Sequence, residues 1–226
     1  MNWKEDSKPS KARMESKSLV EKVSGSTSVS AGVTVVAAIS GTWLAALLPV
    51  FTTVIASGRF QKRIEDAIQD INRRLEVDHE RINNLSDQQF KLVNESLQAL
   101  FSCTDDEKIA LLKTAAVNSV CVEDLDAHEA TVLSRALREV SAVEMYFLRK
   151  IVVHKELMVV SRSESKAWEK PEEAEIFPIE AGSSDNAILA GLANLGLVIS
   201  TGSGFGGTIN YRPSNTARRL VELVGL

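Results

Sequence analysis

The sequence predicts a mainly α-helical protein: an N-terminal hydrophobic helix, an α-helical array, and a C-terminal module that combines helices with a β-hairpin. Three observations predict this order. No charged residue occurs from Val23 to Gly58, signals for helix starts recur through a middle region that has no proline between Pro49 and Pro171, and a glycine-rich turn separates two apolar segments near the C-terminus. The 226 residues are enough for one or two domains with a sizeable core.

The composition excludes several classes of protein. With 44% hydrophobic and 25% charged residues, the chain is neither collagen-like, nor wholly disordered, nor a polytopic membrane protein. A formal net charge of −4 supplies no overall attraction to nucleic acid, so such binding would need a local basic patch. The two cysteines, Cys103 and Cys121, cannot form a disulfide framework, and they favour a reducing compartment.

The N-terminal part divides into a tail and a hydrophobic segment. Residues 1–28 are rich in Lys, Glu and Ser, so we expect a flexible tail. Of the 28 residues from Val29 to Ala56, 19 are apolar or aromatic. As a helix they would extend about 42 Å, which spans the ~30 Å hydrocarbon core once with some tilt. We therefore expect a transmembrane helix over residues 29–58, too long for a cleavable signal peptide. The alternative is a helix buried inside a soluble bundle.

The residues that follow the hydrophobic segment favour the membrane interpretation. Arg59, Lys62 and Arg63 come directly after it, as basic residues do at the cytoplasmic end of a membrane span. Together with the free cysteines, this membrane flank predicts an inner (cytoplasmic) membrane protein whose C-terminal body faces the cytoplasm.

Small residues recur along the hydrophobic segment. Ala37, Gly41 and Ala45 are spaced four residues apart and would form a stripe on one face of the helix. A second helix can approach closely along such a stripe. The hypothesis that follows is self-association of the chain in the membrane as a homo-oligomer.

Residues 59–160 are predicted to form an α-helical array. Near-heptad apolar positions predict a first long helix, which packs in its own bundle or pairs with a second chain; they are Ile64, Ile68, Ile71, Leu75, Ile82 and Leu85. Four capping boxes then mark further helix starts, namely Ser86/Gln89, Thr104/Glu107, Asp126/Glu129 and Ser141/Glu144.

The last part of the chain is predicted to be a linker and a small module. Residues 161–182 contain nine charged residues and two prolines, which is typical of a linker. Residues 183–226 then show a helix that ends at Gly196, two strands around a glycine-rich turn, and a closing helix. This order resembles the C-terminal half of winged-helix domains, whose first helices would begin near Ser141.

The charge of this module argues against DNA binding. From Ala181 to Arg212, Arg212 is the sole Lys or Arg, and Asp185 cancels its charge. Without cations that displace condensed counterions, affinity for nucleic acid is weak, so a protein–protein module is the better interpretation. Residues 202–207 are glycine-rich but precede a strand rather than a helix, which indicates a hairpin tip rather than a phosphate-binding loop.

No pattern for catalysis stands out. The histidines His79, His128 and His154 lack the spacing of zinc sites, and the chain has no nucleophile elbow, P-loop or kinase signature. We therefore expect no enzyme activity, and no catalytic, cofactor-binding or metal-ligating residues.

Several segments resemble a known family. They are Arg59-Phe-Gln-Lys-Arg63, the stretch from Thr104 to Val120, Glu139-Val-Ser-Ala-Val-Glu-Met145 and Leu192-Ala-Asn-Leu-Gly-Leu-Val198. From Arg59 to Leu226 the chain resembles the abortive-infection alpha family of bacterial proteins. The resemblance implies a role in phage defence and brings no catalytic residues.

Two functional hypotheses result. The first is a membrane-anchored, non-catalytic interaction protein, an effector or sensor in phage defence, with the membrane, a protein partner and a second copy as its partners. The alternative is a soluble helical regulator, with a buried hydrophobic helix and a winged-helix module that binds protein or DNA.

Overall fold

The computed structural model describes residues 58–75, 81–82, 84–161, 175–203 and 208–226. Within them the protein is mainly helical, with seven helices and a small mixed four-stranded sheet at the C-terminal end. The chain divides into two compact units, Met1–Glu65 and Asp66–Leu226. All elements after the first helix belong to the second unit.

The elements have the following bounds. The helices are α1 Gly58–Leu75, α2 Asp87–Ser102, α3 Asp106–Asn118, α4 Ala127–Glu139, α5 Ala142–Ile151, α6 Ser184–Asn194 and α7 Asn215–Leu223. The strands are β1 Glu156–Val160, β2 Ile176–Glu180, β3 Val198–Ser203 and β4 Ile209–Pro213.

Helix α1 is strongly amphipathic, as its sequence predicts. Ile64, Ile68, Ile71 and Leu75, spaced four, three and four residues apart, are all buried. Ile71 and Leu75 are among the largest fully buried side chains. Because these positions lie on one face of a helix, α1 contributes a continuous apolar stripe to the core.

Three of the four predicted helix caps are confirmed. Ser86, Asp126 and Ser141 each accept a hydrogen bond from the backbone amide three residues later, and the two serines form complete capping boxes. The fourth prediction is wrong by one residue. Asp105, not Thr104, caps α3, and its Oδ1 accepts from the Glu107 amide at 3.0 Å. An aspartate is at least as good a cap as threonine and also favours the helix dipole.

The helices pack through polar as well as apolar contacts. Helix α2 packs against both α3 and α4. Along the α2–α4 contact, Lys91 Nζ donates to Thr131 Oγ1 at 2.8 Å, and Arg138 pairs with Glu95 at 3.2 Å. Helix α7 packs against α3, α4 and α5, so the end of the chain closes the helical array.

The sheet has the strand order β2-β1-β4-β3. Strand β1 is parallel to β2 and antiparallel to β4, and β3 and β4 form an antiparallel hairpin with a bulge between Ser200 and Gly202. Helix α6 packs on β2 and β3. The hairpin and its flanking helices α6 and α7 confirm the predicted helix, hairpin, helix order, and Gly196 has the positive φ of 74° expected after a helix end.

Two strands were missed by the sequence analysis. Strand β1 lies in the last residues of the predicted helical array, and β2 lies in the predicted linker. The apolar residues of β1 follow directly on the helical pattern of α5, so periodicity alone did not separate strand from helix. Proline is disfavoured in a central strand because it has no backbone N–H to donate. Pro178 is tolerated because β2 is an edge strand of the sheet.

The predicted membrane helix is not among the elements of the structure. No helix in the described parts of the chain is both long and apolar enough to cross a membrane. The predicted transmembrane helix over residues 29–58 lies outside the described residues except for Gly58, and so does the flexible tail predicted for residues 1–28.

The Ser141 cap gives a testable expectation for stability. Ser141→Ala removes the oxygen that accepts from the Glu144 amide at 3.3 Å, so we expect the free energy of unfolding to fall by about 1 kcal/mol. Denaturant unfolding of the full chain, followed by circular dichroism, measures the change.

The matched control is Ser102→Ala at the C-terminal end of α2. This exposed hydroxyl donates to the Ala99 carbonyl at 3.0 Å but caps no amide, so its loss should cost less than half as much. Equal losses in the two variants would contradict the assigned role of the cap.

Candidate functional site

The connection between α3 and α4, residues 119–126, is the centre of the candidate site; we call it the α3–α4 turn. It carries the exposed Cys121, and Asp124 adopts a left-handed conformation with φ of 51°. Aspartate tolerates this conformation better than most residues. The turn is bordered by side chains from α2, α3 and α7, which hold its backbone.

Gln89 binds the start of the turn, and Asn118 joins the end of α3 to α7. The Gln89 amide donates to the carbonyl oxygens of Val120 at 3.1 Å and Val122 at 2.9 Å. Asn118 Nδ2 donates to the Leu223 carbonyl at 3.0 Å and so ties the end of α3 to the end of α7. These bonds satisfy carbonyl groups that helix ends and turns leave without partners.

Arg219 of α7 holds the second half of the turn. Its Nη1 donates to the Asp124 carbonyl at 3.2 Å and pairs with Glu129 Oε2 at 2.9 Å. The Glu129 side chain is only 15% exposed, so this charge-assisted bond is shielded from water more than a surface pair is. The α3–α4 turn and the closing helix α7 therefore form one connected substructure.

Two clefts adjoin this turn, and Cys121 and Glu123 line both. The first has a volume of about 410 Å³ and is lined by Arg81, Asn84, Gln89, Val120, Cys121 and Glu123. The second has a volume of about 350 Å³; Val122, Leu133 and Leu223 give it apolar lining, and Asn118, Glu123, Arg219 and Glu222 give it polar lining.

The two clefts differ in the chemistry of their lining. In the first, Arg81 Nη1 donates to Cys121 Sγ at 3.2 Å. The one carboxylate among the described residues that line it is that of Glu123. The second combines apolar and charged lining, which suits an amphipathic side chain of a partner.

The histidines do not form a metal centre within the described residues. No group of three His, Cys, Asp or Glu side chains in that part of the chain could hold a metal ion. His128 is exposed, and His154 is buried with its ring 4.9 Å from that of Phe177. His79 lies outside the described residues.

Asp70 of α1 is the centre of a cluster of charges. Its carboxylate pairs with Arg73 at 2.6 Å, Arg74 at 3.0 Å and Lys113 of α3 at 3.2 Å. Burial acts to raise the pKa of Asp70, but the hydrogen bonds from Lys113 and Arg73 outweigh it, and the pKa is lowered. Three cations around one carboxylate leave this end of α1 with a positive charge.

Lys108 of α3 is a second perturbed group. Its Nζ donates to the Arg138 carbonyl at the C-terminal end of α4, at 2.7 Å. Burial lowers the pKa of Lys108, against the opposing effect of Cys103, Glu144 and Asp105. This ammonium therefore satisfies a carbonyl group at the end of a helix.

The residues predicted from the sequence as a membrane flank lie in the first two turns of α1. Lys62 is exposed and Arg63 is partly buried, and the side chain of Arg59 is outside the description. The predicted stripe of Ala37, Gly41 and Ala45 lies outside the described residues.

Helix α5 and the turn that follows it carry exposed apolar side chains that the sequence pattern did not predict. Val143, Tyr146 and Val153 are 65%, 43% and 75% exposed. The opposite stripe of α5, with Met145, Leu148 and Ile151, is buried. The signal that could have revealed the face is a second stripe of apolar residues, offset along the same helix.

Comparisons with known protein families, with curated proteins and with solved structures give no match to this chain.

The Asp70 cluster predicts how stability depends on pH. Because the pKa of Asp70 is lowered in the folded state, its carboxylate stabilises the protein above about pH 4, and this contribution is lost as the pH falls through the folded-state pKa. Asp70→Asn should lower the free energy of unfolding by up to about 1 kcal/mol at neutral pH. Denaturant unfolding of the full chain between neutral and acidic pH measures this.

The matched control is Asp66→Asn, which removes an exposed carboxylate from the same helix. We expect the difference between Asp70→Asn and the unmodified chain to shrink in acid. A difference that stays constant with pH, or that Asp66→Asn reproduces, would show that the charge of Asp70 does not stabilise the fold.

Proposed function

We propose that this chain is a membrane-anchored, non-catalytic interaction protein. Residues 29–58 form the anchor in the inner membrane, and the helical body binds a protein partner on the cytoplasmic side. The observation that carries the proposal is that α1 begins at Gly58, the last residue of the uncharged run. Helix α1 continues to the buried positions Ile68, Ile71 and Leu75, which belong to the core of the body.

The C-terminal module is proposed to be winged-helix-like. Support comes from the helix α6, the β3–β4 hairpin and the helix α7, which follow α5, β1 and β2 in the chain. Strand β1 pairs antiparallel with β4, the second strand of the hairpin, so the hairpin extends a sheet that β1 begins. Helix α5 begins after its cap Ser141, where the first helix of such a module is expected.

The charges of this module favour a protein partner over DNA. Helix α6, which would be the recognition helix, has Asp185 and no cation. Arg219 is engaged by Glu129 and by the α3–α4 turn, which leaves Arg212 and Arg218 as the exposed arginines of residues 183–226. Two separated cations release too few counterions for useful affinity at physiological salt.

The partner is proposed to bind at the α3–α4 turn. The second cleft has apolar lining from Leu133 and Leu223 beneath charged groups of both signs, Arg219 and Glu222. This combination suits a side chain with an apolar stem and a polar end. Because the cleft is formed by the turn, α4 and α7, a partner that enters it can shift the contact between these elements.

The biological role is proposed to be that of an effector or sensor in phage defence, with self-association through Ala37, Gly41 and Ala45 in the membrane. The support for the defence role is the resemblance of residues 59–226 to the abortive-infection alpha family. The anchor supplies the means by which a signal at the body reaches the bilayer.

Cell fractionation tests the anchor. We expect the full chain to sediment with membranes and to stay there after washes with high salt and alkaline carbonate, because an apolar span is held by burial rather than by charge. Ile39→Arg/Leu44→Arg should move most of the chain to the soluble fraction, since each arginine at mid-bilayer costs about 2.5–3.5 kcal/mol.

Ile39→Ala/Leu44→Ala is the matched control and should remain with the membranes. If the alkaline wash releases the unmodified chain, the anchor does not exist, and the soluble regulator with a buried hydrophobic helix becomes the better account.

The same module leaves DNA binding as the second candidate, because Arg212 on β4 and Arg218 on α7 are both exposed. We expect no retarded band when the full chain is mixed with duplex DNA at physiological salt. A band that disappears in Arg212→Ala/Arg218→Ala would establish this candidate. Arg219 is unsuitable for the test, because its loss would also release the α3–α4 turn.

A further inference from the structure

We propose that helix α5 docks on the surface of an anionic lipid bilayer. Val143, Tyr146 and Val153 would enter the headgroup region, and Arg149 and Lys150 would contact the lipid phosphates. The inference rests on the proposed function, because a body anchored to a membrane is held close to lipid. It adds a contact that neither the anchor nor the partner site includes.

The first argument is the geometry of the helix. Positions 143, 146 and 150 are separated by three and four residues, which brings them to one side of α5, and Val153 lies in the turn that follows the helix. The opposite stripe, with Met145, Leu148 and Ile151, is buried in the core. The docking face is therefore presented by a helix that the core holds in place.

The second argument is the charge beside these apolar side chains. Arg149 and Lys150 are both exposed, and no carboxylate in the described parts of the chain pairs with either. The acid of α5, Glu144, is held at the other end of the helix by the cap, where its Oε2 accepts from the Ser141 amide at 2.7 Å. The last turn of α5 thus offers two cations to an anionic surface.

Lys150 is also held in place by its surroundings. Its Nζ lies 5.0 Å from the centre of the Phe177 ring on strand β2. A cation over an aromatic face is attracted to the ring while part of its surface stays open to water. A phosphate group can therefore approach this ammonium without the side chain first having to be ordered.

The size of the face favours lipid over a protein partner. Three apolar side chains are a small part of the roughly 800 Å² that each partner buries in a stable protein interface. A weak contact of this kind suffices on a membrane that already holds the chain, because the anchor makes the second contact intramolecular. Tyrosine and basic residues are also the types that favour the membrane interface.

A fluorescent label at position 143 tests the contact. The full chain carries Cys121→Ser, which removes the exposed cysteine, and Val143→Cys with an environment-sensitive dye. It is placed in nanodiscs of phosphatidylcholine alone or of phosphatidylcholine with phosphatidylserine, and it is also mixed in buffer with vesicles of both compositions. The same dye at Ala110→Cys, an exposed position of α3, is the control.

We expect the emission at position 143 to shift to shorter wavelength when phosphatidylserine is present, and the emission at position 110 to stay unchanged. Arg149→Glu/Lys150→Glu should remove the shift and weaken the phosphatidylserine-dependent contact by roughly tenfold or more. Equal emission at position 143 in both lipids would overturn the proposal. A shift that depends on protein concentration instead of lipid charge would overturn it in favour of a second copy.

The two proposals fail in different ways. A chain that does not incorporate into nanodiscs contradicts the anchor, whereas the mixture with vesicles still reports on α5. A chain that incorporates without a change at position 143 contradicts docking of α5 and leaves the anchor intact.

Discussion

The burial of one face of α1 is the constraint on which the account depends. Ile68, Ile71 and Leu75 belong to the core of the helical body, so this helix cannot leave the body without exposing a continuous apolar stripe to water. The uncharged run ends at Gly58, where α1 begins. The part of α1 that carries Ile68, Ile71 and Leu75 is therefore fixed to the body by burial.

Polar contacts link the α3–α4 turn, α7, α3 and α1 to one another. Asn118 joins the end of α3 to the end of α7, and Arg219 joins α7 to the α3–α4 turn. On the other side, Lys113 of α3 pairs with Asp70 of α1. Helix α3 thus connects the candidate partner site to the helix that follows the uncharged run. Each of these bonds joins two neighbouring elements, and together they form a continuous set of contacts from α7 through α3 to α1.

The sequence revealed those features that depend on near neighbours in the chain. The caps at Ser86, Asp126 and Ser141, and the buried stripe of α1, follow from spacings of three and four residues. The pairing of β1 with β2 and β4 was not predictable in this way, because partners distant in the chain decide whether a short apolar run becomes a strand. The bonds from Gln89 and Arg219 to the turn were hidden for the same reason.

The central claim is that the uncharged run spans a membrane. The most direct test is to measure whether lipid, water or protein surrounds the run in the full chain. A nitroxide at Ile39→Cys, a position off the predicted stripe, is introduced with Cys121→Ser, and the chain is placed in lipid bilayers. If the run spans the membrane, molecular oxygen will relax the nitroxide strongly, and a water-soluble nickel complex will have little effect. Protection from both reagents would place the run inside the protein and contradict membrane anchoring, and relaxation by nickel would contradict both interpretations.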